Sequence, residues 1–187
     1  MNNKEILDIL REKGYMQKYY NKTLQEQFSS YFFKPYGIHG ILHAKRVLLL
    51  SLALSHFNNL SEANTAILAT ASLYHDIGRT NDGVCFEHGK DSIQKALDLG
   101  LINGDINEEN EILRYVIINH CLPDDQPESL DKYSITNRER AIELLKLFKD
   151  SDGLDRVRIN DLNVEYLRFP VSKNLVSFAK YLLKEIK

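Results

Sequence analysis

An all-α fold is what this sequence predicts, on three observations. Apolar residues recur at helical spacing along almost the whole chain, strand-like alternation and hairpin dipeptides are nearly missing, and 43 % apolar content in 187 residues suffices for one full core. A single domain, 1–187, is expected.

The elements follow in order. A helix near Asn3 to Lys13 should stop at Gly14, and a second, rich in Tyr and Gln, should run from Tyr15 to Phe32 until Pro35 breaks it. The next helix, His39 to Phe57, buries a side made of Ile41, Leu42, Val47, Leu50 and Leu54, and His43 projects from that side with His39 one turn earlier. His56 closes it, where a protonated ring suits the helix dipole. Ser61 is the expected N-cap of an Ala-rich helix, Ala63 to Asp76, with Asn64 in the capping-box position. Gly78 then frees the backbone for a turn, leaving His75 and Asp76 at a helix end.

Asn81-Asp82-Gly83 reads as a loop, and Glu87 to Leu99 as a helix ended by Gly100. Asp105-Ile-Asn-Glu has capping-box spacing for a helix reaching Cys121, whose apolar stripe of Ile112, Val116 and Ile117 ends in His120. The polar stretch 123–136 is longer than most connections in a compact domain and is a candidate flap. Thr136-Asn-Arg-Glu should open the next helix, which turns Ala141, Leu144, Leu145 and Phe148 inward and arrives at Asp152. If helical geometry continues, Asp155 and Arg156 share the face of Asp152, at spacings of three and four. A last amphipathic helix after Ser172 carries Leu175, Phe178, Ala179 and Leu182.

Composition narrows the function. With 24 basic and 26 acidic residues there is no overall positive field, and no basic stripe interleaved with aromatics, so long nucleic acid is not the expected partner. The two cysteines, Cys85 and Cys121, lack C-x-x-C spacing and suit a reducing, cytoplasmic setting. The longest apolar stretch, Val47 to Phe57, is too short to span a bilayer, so no membrane partner is expected.

The chemistry concentrates in five short stretches. They are Ile-His-Gly-Ile-Leu-His43-Ala-Lys-Arg-Val, Ala-Ser-Leu-Tyr-His75-Asp76-Ile-Gly-Arg79, Glu-His88-Gly-Lys-Asp-Ser, Ile-Ile-Asn-His120-Cys, and Lys-Asp-Ser-Asp152-Gly-Leu-Asp-Arg-Val-Arg. An imidazole and a carboxylate side by side at a helix end can both face a divalent ion, and the two carboxylate oxygens can span a pair of ions. Each of these side chains has a plain alternative as a satisfied core polar group. Burying several without a cation costs a few kcal/mol unless each finds partners.

Read in order, H, HD, H, H, D resembles the HD superfamily of metal-dependent phosphohydrolases over roughly residues 37 to 160. The resemblance implies an HD core at 37–160, and the helical pattern on either side of it gives an N-terminal helical cover at 1–36 and a helical C-terminal segment at 161–187. It implies that His43, His75, Asp76 and Asp152 hold one metal, and that His88 and His120 add a second with Asp76 bridging. Iron or manganese suits such imidazole and carboxylate donors, with magnesium, cobalt or nickel as further candidates. The cyclic-di-GMP branch is disfavoured, because its paired His-His is replaced by Asn119-His120 and its Gly-Tyr-Pro signature is missing.

Arg79 resembles the basic residue that many HD enzymes aim at phosphate, and His39 and Arg156 are further candidates for substrate contact; Arg46 and Asp155 are candidates for a buried ion pair. The expected activity is hydrolysis of a phosphoester in a small nucleotide or phosphorylated metabolite, with Asp76 and Arg79 as catalytic residues. The walls that select this substrate should come from the N-terminal cover and from 123–136. A mixed-valent di-iron oxygenase uses a similar donor set and is the alternative. A non-catalytic ligand-binding module is a third reading, against which the intact donor set argues. Oligomeric state is left open.

Overall fold

A computed structural model describes residues 2–186, and helices are the only regular elements among the described residues. In chain order they are α1 (Asn3–Glu12), α2 (Tyr15–Lys18), α3 (Ile41–Phe57), α4 (Glu62–Tyr74), α5 (His88–Asp98), α6 (Glu108–Asn119), α7 (Arg138–Leu154), α8 (Pro170–Asn174) and α9 (Val176–Glu185), with short 3-10 turns between some of them. None is long and apolar enough to cross a membrane.

The axis of the fold is α3. Every residue from Val47 to Leu54 is 0 % exposed, so the helix is buried all round rather than along the one side expected, while Ile41 and Leu42 are only partly buried. The cause is an almost uninterrupted run of leucines, which α4 and α7 cover along one flank and α1, α8 and α9 along another. The one polar residue in that run, Ser51, meets the hydroxyl of Ser72 on α4 at 2.8 Å.

Two apolar clusters result. One joins Leu10, Phe28, Leu48, Leu52 and Phe178, tying the N- and C-terminal elements to α3; the other joins Val47, Leu68, Val116, Leu144 and Phe148 across α3, α4, α6 and α7. Each fully buried large apolar side chain contributes about 1.5–3 kcal/mol, and that sum offsets the desolvation of the polar cluster described below.

Several element boundaries differ from expectation. The long second helix is absent. After α2 the chain makes 3-10 turns at Tyr20–Leu24 and Glu26–Tyr31, where the hydroxyls of Thr23, Ser29 and Ser30 donate to carbonyls three residues back and compete with α-helical bonding. His39 precedes α3 instead of lying in it: Gly40 is the N-cap, pressed so close to Pro35 that a Cβ would stand 2.1 Å from the Pro35 carbonyl oxygen.

Ser61 caps α4 as expected, through the Asn64 amide. The caps of α6 and α7, however, are Asn107 and Asn137 rather than Asp105 and Thr136. Glu108 explains the shift in the second case, because its carboxylate reaches across to accept the Thr136 and Asn137 amides at 2.9 and 2.7 Å. The C-terminal helix is divided into α8 and α9. His56, at the C-terminal end of α3, is held towards the neutral form by burial and by nearby Lys13.

Gly78 has a tighter role than a free turn. A Cβ there would lie 2.2 Å from the backbone nitrogen of Ser92, so its missing side chain is what lets the end of α4 press against α5. The stretch 123–136 is tied down by the Glu128 amide on the Asn119 side chain, by a 3-10 turn at Leu130–Lys132 and by buried Ile135.

Candidate metal centre

Five helix ends converge on one buried point. His75 is the C-cap of α4 and His120 that of α6, and Asp152 lies in the last turn of α7; His43 lies in the first turn of α3, and His88 opens α5. Three carbonyl-bearing ends against two amide-bearing ends leave a net preference for positive charge. The α4 terminus is held rigid by Ser92 of α5, fully buried, whose hydroxyl donates to the His75 carbonyl at 2.6 Å and accepts the Gly78 amide at 2.9 Å.

The side chains form two groups that share Asp76. In the first, His43 Nε2 lies 3.1 Å from His75 Nε2, 3.4 Å from Asp76 Oδ2 and 3.2 Å from Asp152 Oδ1. His75 Nε2 lies 3.4 Å from Asp76 Oδ2 and 3.9 Å from Asp152 Oδ1. In the second, His88 Nε2 lies 2.9 Å from His120 Nε2 and 3.1 Å from Asp76 Oδ1, and His120 Nε2 is 3.9 Å from that oxygen. Donors at about 2.1 Å from one cation stand roughly 3.0 to 3.4 Å apart, so most of these spacings match an ion's coordination shell. The sites of His43, His75, Asp76 and His88 are almost wholly buried, and only the Asp152 carboxylate is substantially open, at 32 %.

What each imidazole does with its other nitrogen decides the chemistry. Nδ1 of His43 faces the Asp155 carboxylate at 2.7 Å, that of His75 the Ser72 carbonyl at 3.2 Å, that of His88 the Cys85 carbonyl at 2.5 Å and that of His120 the Ile117 carbonyl at 2.6 Å. Those oxygens only accept, so each Nδ1 carries the proton and each neutral ring turns the lone pair of Nε2 inward. Lone pairs facing one another repel unless a proton or a cation sits between them.

Protonation follows the same division. Burial and nearby Arg158 oppose charge on His43, yet hydrogen bonds to Asp152, Asp155 and Asp76 raise its pKa to about 10. Burial also opposes charge on His88, and Asp76 and Cys121 outweigh it, again to about 10. Burial drives His75 down to about 4 against the pull of Asp76, and drives His120 to about 3, aided by His75 and His88. Asp76 and Asp152 resist the upward push of burial and stay well below the usual carboxylate range, because the histidines around them stabilise the charge.

The expected substrate contacts divide. His39 Nδ1 meets Asp76 Oδ2 at 2.9 Å, and Arg79 donates from Nε to Asp76 Oδ1 at 2.7 Å and from Nη1 to the Gly83 carbonyl at 3.0 Å. Both line a 410 Å³ cavity that opens onto the cluster. Arg156 reaches the same cavity but is exposed and paired with Asp161.

The reason lies in the turn period. After Leu154 the chain tightens into a 3-10 turn, Asp155–Ile159, so that Asp152, Asp155 and Arg158 align at intervals of three and Arg156 is left at the exposed cavity rim beside Asp161. Arg158, absent from the sequence reading, donates to the Ile38 carbonyl at 2.9 Å and stands 3.4 Å from Asp155. Its spacing of three from Asp155 was the available signal. The expected Arg46–Asp155 pair is present, with Nε to Oδ1 at 2.6 Å and both residues buried.

A second cavity, of 1010 Å³, shares His120, Asp152 and Arg156 with the first and is walled by Lys149, Tyr166 and Arg168. Among the described residues, 2–36 line neither cavity, and of 123–136 only Pro123 and Asp124 do, so the walls come instead mainly from residues 79–86 and 149–168. A scan against protein-family models and searches of curated proteins and solved structures return no match for this chain.

Proposed function

We propose that this chain is a metal-dependent phosphohydrolase of the HD type, cleaving a phosphoester bond in a small nucleotide or other phosphorylated metabolite. The observation that carries the reading is the buried set of four Nε2 lone pairs and two carboxylates in two groups joined by Asp76. Two divalent cations, iron or manganese by donor type, would supply a water of lowered pKa and Lewis-acid sites for phosphoryl oxygens.

The chain's own residues do the rest. Asp76 directs Oδ2 to the first group and Oδ1 to the second, fixing the separation of the two sites. Asp155, and the carbonyls behind His75, His88 and His120, lock each imidazole in the donor tautomer. Arg79, at the cavity wall, is placed to neutralise charge developing on a phosphoryl group, and Arg158 with Arg156 extends the cationic wall. Asp152, the most open donor of the set, faces both cavities and orients the substrate side of the first group.

Three guanidinium groups around one cavity favour a phosphorylated substrate over the oxygenase alternative. The test is elemental analysis of protein purified without chelator, joined to a screen of phosphorylated metabolites for released phosphate, with His75→Ala as control. Phosphate release that needs bound metal and vanishes in the variant supports the reading. Protein without metal, or oxygen uptake with no phosphate release, rejects it.

A further inference from the structure

We propose that Cys121 supplies a sulfur ligand to the second group of donors, making the two halves of the centre chemically unequal. The inference rests on the metal-centre reading above. A ring nitrogen of His88, a ring nitrogen of His120 and the Cys121 sulfur all lie within 4.8 Å of one another, which gives the second group a donor type that the first lacks.

Local structure explains how the sulfur gets there. Cys121 follows the α6 C-cap directly, and its thiol donates to the Phe86 carbonyl at 3.2 Å, with the Ile118 carbonyl 3.6 Å away. Phe86 belongs to the same short turn whose Cys85 carbonyl holds His88 Nδ1, so one turn aims both the imidazole and the sulfur. The thiol is partly buried and bordered by the 410 Å³ cavity, which leaves it room to rotate from the carbonyl to a cation. On binding, the S–H bond is exchanged for a sulfur–metal bond, the proton leaves to solvent, and no electron moves.

The consequence is selectivity. Two imidazoles and two carboxylates make the first group a borderline-to-hard site, suited to manganese or iron(II). Two imidazoles, one carboxylate oxygen and a thiolate make the second a softer site that favours zinc or cobalt(II) and discriminates against magnesium. With Cys121 as a ligand the two positions prefer different metals, which amends the uniform iron or manganese pair that imidazole and carboxylate donors alone suggest.

The experiment compares wild type, Cys121→Ser and Cys85→Ser, each produced as the full chain in cobalt-supplemented medium. Cobalt per chain is counted, and near-ultraviolet absorption is read for sulfur-to-cobalt charge transfer. Cys85 borders the same cavity but stands outside the donor group, so it is the control. Wild type and Cys85→Ser should show the band; Cys121→Ser should lack it, keep one cobalt, and release the other on dialysis at least about tenfold faster. Two cobalt ions in wild type without the band, or a band that survives in Cys121→Ser, overturns the role of Cys121 and leaves the metal centre standing. Wild type without cobalt overturns both. Should Cys121→Ser fail to fold, maleimide labelling of wild type decides: cobalt must protect Cys121 and leave Cys85 reactive, and equal labelling rejects the assignment.

Discussion

His43 Nε2 and His75 Nε2 stand 3.1 Å apart while the Nδ1 of each ring is committed elsewhere, to the Asp155 carboxylate and to the Ser72 carbonyl. Only a proton or a cation can bridge that gap. The pKa values divide to suit a single proton, with His43 raised to about 10 and His75 lowered to about 4. His88 and His120 repeat the arrangement at 2.9 Å, with values of about 10 and about 3.

Cation binding should therefore displace one proton from each pair anywhere between about pH 4 and about pH 10. Affinity rises with pH in that window, because the competing protons are lost, by about a hundredfold per pH unit for the two imidazole pairs together and by about a further tenfold where the Cys121 thiol also gives up its proton. Chelator competition at pH 6.5, 7 and 7.5 measures the slope. A flat profile would show that the rings enter the reaction already deprotonated.

The two groups share only Asp76, so they should be separable by mutation. His88→Ala removes an imidazole from the second group and leaves all four donors of the first in place, touching among them only the shared Asp76 through Oδ1, and metal content should drop from two ions to one per chain. Elemental analysis reads this directly. An unchanged count of two means that the second ion sits elsewhere.

Much of this centre was legible in the sequence. The H, HD, H, H, D order located six members of the buried His and Asp cluster because each histidine or aspartate closes or opens an apolar helical run, and helix ends are where side chains from distant segments can meet. What the sequence concealed were features set by packing. That Arg158 and not Arg156 pairs with the buried Asp155 follows a change from 3.6 to 3.0 residues per turn after Leu154, where Asp155 also reaches His43 and Arg46. Ser92 reads as an ordinary helix residue until α5 is pressed onto the end of α4. The region 19–31 has helix-forming residues, but its hydroxyls bond back to the backbone locally and leave 3-10 turns.

Arg79 should act on phosphoryl charge and not on metal retention. Its Nε bonds Asp76 Oδ1 at 2.7 Å, yet that oxygen keeps His88 at 3.1 Å when the guanidinium is removed. Arg79→Ala should keep both ions and lower kcat/KM by about 10²- to 10³-fold. Arg79→Lys should recover only part of this, since an ammonium cannot reproduce the forked donors. Wild-type kinetics on the true substrate would remove Arg79 from the active site.

Asp155 is fully buried and answers to His43, Arg46 and Arg158 together. Removing it in Asp155→Ala strands a buried guanidinium and frees the His43 ring, for an expected loss of about 3–5 kcal/mol in denaturant unfolding. Burial pushes its pKa up, but His43 and Arg46 outweigh this and depress it. A depressed carboxylate contributes stability above the unfolded value of about 3.9 and loses it as pH falls further, so the wild type should weaken below about pH 4. Asp155→Asn should flatten that acid limb; an identical limb in the variant would assign it to other carboxylates.

Gly78 tests whether close helix contact shapes the second group. Its α-carbon lies where a methyl would stand 2.2 Å from the Ser92 nitrogen and 2.4 Å from the Asp91 carbonyl carbon, both backbone atoms that cannot rotate aside. Gly78→Ala must push α5 away from the end of α4, at about 1–3 kcal/mol. His88 is the first residue of α5, so the push moves it directly away from Asp76, while the first group, built on α3, α4 and α7, feels it only through the Ser92 hydroxyl on the His75 carbonyl. The variant should unfold at lower denaturant and lose the second ion before the first. Two ions retained at wild-type stability would mean that the Gly78–Ser92 contact does not position His88.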